Sequence, residues 1–267
     1  MQRRQVLALV TAASASVAGC PSSGPSAGPD STTHSLGETA ESSDGTTVTV
    51  RDVTLRRLIP STSVGSATHI DVACLESHQF AVVELEATGP DGGSVVDDVS
   101  LALEVDGTRY PKPDQHWYWA IGGSDDRPGN PAFPVPVAEA SAAAVVWSRE
   151  DGDVARWAVP TETVDALGRA PAFRVTDFRT PNTIGRNEPV EASFTVANLG
   201  TRNGRFVTEF GAGPISDHPE TTVAVPTDDE RTVTNTLTPH TDSDTEEIEV
   251  TLDWGCDRRV HTVTVSD

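Results

Sequence analysis

The sequence predicts an all-β chain: two tandem β-sandwich domains after a disordered tether. Three observations carry this. Short runs of alternating apolar and polar residues recur along the chain from Val48 to Val265. They are separated by turns rich in Gly, Pro, Asn and Asp. No segment holds a helical apolar period; Ala138 to Ala144 has room for one turn of helix but runs straight into Val145-Val146-Trp147.

The amino terminus has another logic. Arg3 and Arg4 precede a short apolar stretch from Val6 to Ala18, diluted by Thr11, Ser14 and Ser16. A charged start, a short apolar middle and a small-residue end make a signal peptide. The stretch is too short for a stable membrane span. Paired arginines before a weakly apolar run resemble the twin-arginine export signal. Val17-Ala18-Gly19-Cys20 resembles a lipobox, which implies that residues 1–19 are removed and that Cys20 carries a lipid as the mature amino terminus. Residues 20–46 then read as a disordered tether, because Leu36 is the one large aliphatic residue after Cys20 in that stretch. So little apolar surface cannot offset the entropy of ordering the chain. His34 is expected to be solvated there.

Charge narrows the setting. The chain has 40 acidic and 19 basic residues, a formal charge of −21, and Lys112 is its one lysine. Loss of residues 1–19 removes two arginines and no acid, taking the charge to −23. Such a surface repels itself at low salt and is screened at molar salt, where the Debye length is about 3 Å. Scarce lysine with abundant Asp, Glu and Thr resembles proteins of salt-loving archaea. The charge also excludes a nucleic-acid binder, which needs a basic footprint.

The first sandwich is expected over residues 47–168. Val48 and Val50 alternate with threonines; Ile70, Val72 and Cys74 alternate with Asp71 and Ala73; Val83, Leu85 and Ala87 alternate with Glu84 and Glu86. Val99, Leu101, Leu103 and Val105 oppose Ser100, Ala102 and Glu104, and Asp106-Gly107 follows as a two-residue hairpin turn. A second such turn at Asp151-Gly152 would set Trp147 opposite Arg156, in cation–π reach. Asp165 to Pro171 reads as a linker.

The second sandwich is expected over residues 171–267. About seven short strands fit in roughly a hundred residues, the pattern of an immunoglobulin-like fold. Phe173-Arg174-Val175-Thr176 opens it. Glu188-Pro189-Val190-Glu191-Ala192-Ser193-Phe194-Thr195-Val196-Ala197-Asn198-Leu199-Gly200 follows, ending in Asn-x-Gly before a strand at Phe206 to Phe210. This stretch resembles the CARDB family of cell-adhesion-related modules. The resemblance implies a β-sandwich used as a spacer or adhesive unit on surface proteins, with no catalytic residues to carry over.

Candidate sites are few. Cys74 and Cys256 are the cysteines left once Cys20 is modified, and they read either as an interdomain disulfide or as two buried free thiols. Trp117, Tyr118 and Trp119, beside His116, read either as core residues or as contacts for an envelope protein or glycan partner. His69, Cys74 and His78 lack the methionine of a blue-copper set. Asp242, Asp244, Glu246 and Glu247 lack the glycine of an EF-hand loop. No metal or cofactor is expected, nor is an Asn-linked glycan. The nucleophile elbow, zinc-helix, phosphate-loop and dinucleotide motifs are absent from the sequence. The expected role is therefore that of a non-enzymatic surface lipoprotein anchored to the outer face of the membrane by Cys20. The alternatives are an accessory subunit of a membrane complex or transporter, or an envelope enzyme with an unrecognised site.

Overall fold

The computed structural model describes residues 32–62, 70–112, 119–120, 130–150, 152–212, 220–239 and 241–266. Arg3, Arg4 and Cys20 lie outside these residues.

The first sandwich begins with β1 (Thr32–His34), β2 (Thr39–Glu41) and β3 (Thr47–Arg56). A hairpin follows, β4 (Ile59–Thr62) and β5 (Ile70–Ala73). Next come β6 (His78–Thr88), β7 (Ser100–Val105), β8 (Thr108–Pro111) and β9 (Trp119–Ala120). The domain closes with β10 (Asn130–Pro136), β11 (Ala143–Arg149) and β12 (Gly152–Ala158), then the short helix α1 (Thr161–Asp165). One sheet runs β2-β3-β6-β10-β9 and the other β1-β12-β11-β7-β8. The alternating faces of both meet in a core that includes Val48, Val50, Val83, Leu85, Leu101, Leu103, Phe133, Trp147 and Trp157.

The second sandwich contains β13 (Phe173–Arg179), β14 (Thr183–Gly185), β15 (Val190–Asn198) and β16 (Gly204–Ala212). It continues with β17 (Glu220–Val225), β18 (Glu230–Leu237), β19 (Glu247–Asp253) and β20 (Arg258–Ser266). Its sheets are β13-β15-β18 and β14-β20-β19-β16-β17. In its core Phe194 packs edge-on against Phe210 and tilted against Phe206. This strand order is that of an immunoglobulin-like sandwich. The first domain repeats it, with β3-β6-β10 in place of β13-β15-β18 and β12-β11-β7-β8 in place of β20-β19-β16-β17. Each domain also lays a short parallel strand on its last strand, β1 on β12 and β14 on β20. In the first domain that strand comes before β3. In the second it comes after β13.

Three expectations are corrected. The stretch 20–46 does not stay a tether to its end. Thr32–His34 pair with Ala155–Trp157, and Thr39–Glu41 pair with Thr47–Thr49. An edge strand is held by backbone hydrogen bonds, so low apolar content does not forbid it. Few side chains are needed: Ala40 is buried, and the Trp157 indole donates to the Glu38 carbonyl at 2.8 Å. His34 is not simply solvated, since its ring stacks on Trp157 at 5.6 Å. Next, Trp147 faces Ala155, not Arg156. β11 ends at Arg149 and β12 begins at Gly152, and a bulge between Trp147 and Ser148 shifts the register. Trp147 enters the core, and Arg156 takes the other face. The alanine-rich stretch, where the sequence left room for one helical turn, forms none, and Ala143 already belongs to β11.

The Asp106-Gly107 turn is as expected. Both residues have positive φ, 46° and 80°, the geometry of a two-residue hairpin. Its strand has a surprise, however. Glu104, on the face opposite Leu101 and Leu103, is buried beneath two arginines. It meets Arg156 at 2.6 Å and Arg109 at 3.0 Å, and Arg109 also clamps Asp153. Arg156, and after it Arg109, hold the Glu104 carboxyl below its usual range. Arg109 does the same for Asp153, aided by the Ser148 hydroxyl.

Candidate functional site

The junction between the sandwiches is built by the β4–β5 hairpin, an insertion between β3 and β6. The local reason lies in β6. Its first half, Gln79-Phe80-Ala81-Val82-Val83, is buried on both faces. Ala81 and Val83 face the sandwich core, while Phe80 and Val82 turn outward and pack with Ile59, Ala73 and Leu75 of the inserted segment. The other side of the insertion meets the second domain. Leu58 is 2% exposed and belongs to the second core, with Val72 and Cys74 packed against it. Burying one leucine this way contributes about 1.5–3 kcal/mol.

Cys74 follows β5, and Cys256 lies in the β19–β20 turn. Of the two readings the sequence left open, the structure has the disulfide, with Cα atoms 5.2 Å apart. Gly255 makes the approach workable. Its φ is +75°, and a Cβ there would sit 2.0 Å from the Val72 carbonyl oxygen.

A buried polar bridge completes the junction. Gln79, fully buried, donates to the Leu167 carbonyl at 2.7 Å and accepts from Arg202 at 2.8 Å. Burial and the nearby Arg169 lower the pKa of Arg202. The expected linker is pinned rather than loose. Leu167 lies in the first core. Asn198, fully buried, accepts from the Ala172 and Gly200 amides and donates to the Arg202 and Val225 carbonyls. All its polar capacity is used, which is a physical reason for the Asn-x-Gly pattern.

At the opposite end of the first sandwich lies an open groove of about 870 Å³. Asp44, Asp98, Glu150, Arg149 and the hydroxyls of Ser43 and Ser100 line it. Asp44 is held below the usual carboxylate range by the Ser42 hydroxyl and by Arg149, which it meets at 2.8 Å. The groove offers hydrogen-bond acceptors to a hydroxyl-rich ligand. Among the described residues no cluster of three His, Cys, Asp or Glu is placed to hold a metal. No helix among them is long and apolar enough to cross a membrane.

Of the aromatic trio, Trp117 and Tyr118 lie outside the described residues. Trp119 opens β9, where its backbone pairs with Pro131 at a sheet edge. His69 and His116 also lie outside. His78 opens β6, and its ring bonds the Glu76 carbonyl at 2.8 Å. At the junction sequence reasoning offered the Cys74–Cys256 bond as one of two readings, but it did not locate the inserted hairpin, the polar bridge or the groove. The continuous apolar run at Phe80–Val83 was the available signal for the first, since a strand buried on both faces loses its alternation.

These features define a class: an all-β protein of two immunoglobulin-like sandwiches joined through an inserted hairpin. No protein-family model matches the chain, and no curated protein matches it. Among solved structures it is similar to a β-glucosidase from Listeria innocua, at 17% identity and TM-score 0.30, over 37% of this chain and 16% of that one. It is similar to the CARDB domain of a Pyrococcus furiosus protein, solved in complex with di-metal ions, at 21% identity and TM-score 0.28. That likeness covers 36% of this chain and 89% of that domain. A chimeric titin is similar over 82% of this chain and 97% of its own, at 15% identity and TM-score 0.20. The chain thus spans 16% of the length of the β-glucosidase it matches. The fold assignment rests on the strand order itself.

Proposed function

We propose that the chain is a lipid-anchored, non-enzymatic surface protein whose two sandwiches act as one stiff module for binding, adhesion or support in the envelope. The observation that carries this reading is the clamp at the junction. A disulfide, an inserted hairpin and the Gln79–Arg202 bridge hold one interdomain angle. A spacer or presenting module needs a fixed angle, whereas domains joined by a bare linker move by default.

The anchor sets the orientation. Eleven residues separate Cys20 from Thr32, a reach of at most about 43 Å. Thr32 pairs with Ala155 at the middle of β12 and β1 runs parallel toward Trp157, so Thr32 is the end of β1 nearer the groove. The groove end is then the tethered end, and the second sandwich projects outward.

The test is made on cells at native salt. Cys20→Ser should release the protein into the medium, and retention in the membrane fraction would contradict the anchor. Cross-linking followed by affinity capture separates the roles. One stoichiometric partner makes the chain an accessory subunit, while surface-layer material alone favours adhesion or spacing.

A further inference from the structure

Several arginines among the described residues are paired with a carboxylate. Arg51, Arg109, Arg149, Arg156, Arg179 and Arg231 each have one within 3.0 Å. Arg57 and Arg202 instead meet backbone or amide oxygens. Arg56 and Arg205 do neither, and they lie together. Arg56 ends β3 of the first domain, and Arg205 is the second residue of β16 of the second. They line one small cleft at the junction, and neither has an ion-pair or hydrogen-bond partner among the described residues. Half-burial of Arg56 and the neighbouring charge of Arg205 both disfavour its charged form, with Glu220 partly offsetting them. Guanidinium stays ionised all the same, so the folded chain holds two repelling cations together with donors to spare.

The rest of the cleft narrows what those donors are for. Its volume is about 180 Å³, and Leu58, Pro60 and Val207 give it an apolar floor. Thr222 and Glu220 form one wall, and the Thr222 hydroxyl donates to the Glu220 carboxylate at 2.7 Å. Two guanidinium groups and one carboxylate sum to a single positive charge. A monoanion neutralises it, while a dianion overshoots and faces Glu220. Guanidinium donors match the two oxygens of a carboxylate, and the apolar floor matches a short hydrocarbon body.

We infer that this cleft is a binding site for a small monocarboxylate with a short aliphatic tail, held across the junction by Arg56 and Arg205. Such a ligand joins the two domains from outside, opposite in charge to the cleft that holds it.

The test is a ¹H–¹⁵N titration of the full chain with acetate, butyrate and sulfate at constant ionic strength, read at the Arg56 and Arg205 side-chain Nε–H signals. Butyrate should bind more tightly than acetate, by up to roughly four-fold per added methylene. Sulfate should bind more weakly than butyrate in the native chain and gain on it in Glu220→Gln. Arg56→Gln and Arg205→Gln should each weaken butyrate by about ten-fold or more. Arg205 is exposed, so its variant keeps the test open if Arg56→Gln disturbs the fold. Sulfate bound as tightly as butyrate, butyrate affinity unchanged in Arg205→Gln, or no butyrate binding to the native chain would overturn the inference.

Discussion

Arg202 reaches across the domain boundary to the side-chain oxygen of Gln79 at 2.8 Å, and the same amide donates to the Leu167 carbonyl at 2.7 Å. One buried side chain thus ties a strand of the first domain, the connecting segment and a turn of the second domain together. Gln79→Ala strips an acceptor from Arg202, whose Nε has no partner among the described residues, and a donor from Leu167. Each unsatisfied buried group costs about 1–3 kcal/mol. Denaturant unfolding of the variant should show a loss of roughly 2–4 kcal/mol. A loss under about 0.5 kcal/mol would mean that water replaces the bridge freely.

The Cys74–Cys256 bond closes a loop across 182 residues of sequence. Mass spectrometry of the denatured, non-reduced chain after alkylation should find neither cysteine modified. Two alkylated cysteines would contradict the bond. The double variant Cys74→Ser, Cys256→Ser should lose up to about 5 kcal/mol on the loop-entropy scale. Small-angle scattering should then report a wider spread of interdomain angles.

Gly255 and Gly37 make a controlled pair. Both have positive φ, but a Cβ at Gly37 would meet nothing within 4 Å, whereas one at Gly255 would strike the Val72 carbonyl. Gly37→Ala should cost only the left-handed backbone penalty, about 1–2 kcal/mol. Gly255→Ala should cost that and about 1–3 kcal/mol more for the displaced hairpin. Equal losses in thermal unfolding would show that the turn and the hairpin are not in contact.

Acid should weaken the first domain through Glu104 and Asp153. Both carboxyls sit below their ordinary values of 4.5 and 3.8 when folded, and return to them when unfolded. The unfolded chain therefore takes up protons first as pH falls. The stabilisation is complete above the ordinary values and drains away as pH drops through the lowered ones. Unfolding midpoints measured between pH 7 and pH 2 should decline in that window. Glu104→Gln should flatten the decline while lowering stability at neutral pH.

Most of the architecture was readable because half-buried strands alternate. Val99 to Val105 and Ile248 to Trp254 wrote their inward faces into the sequence, and Asp106-Gly107 wrote its turn. Three kinds of feature were not readable this way. Backbone-only strands such as Thr32–His34 leave no side-chain pattern. The bulge beside Trp147 moves a register without changing a residue type. The polar contacts at the junction join residues far apart in sequence, as Gln79 and Arg202 are, and no local period encodes them. The hairpin alternation at Ile70 to Cys74 was visible, but nothing local said that it would cover a second domain.

The parallel strand β1 has a mechanical side. It runs alongside β12, and β12 leads on toward the second domain. Tension drawn through residue 31 on one side and the junction on the other would pull the two strands lengthwise in opposite directions. The hydrogen bonds from Thr32 to His34 would then be loaded together in shear instead of opening one at a time. If Cys20 holds a lipid, the three residues most exposed to a tug on that anchor sit in the arrangement that resists it best.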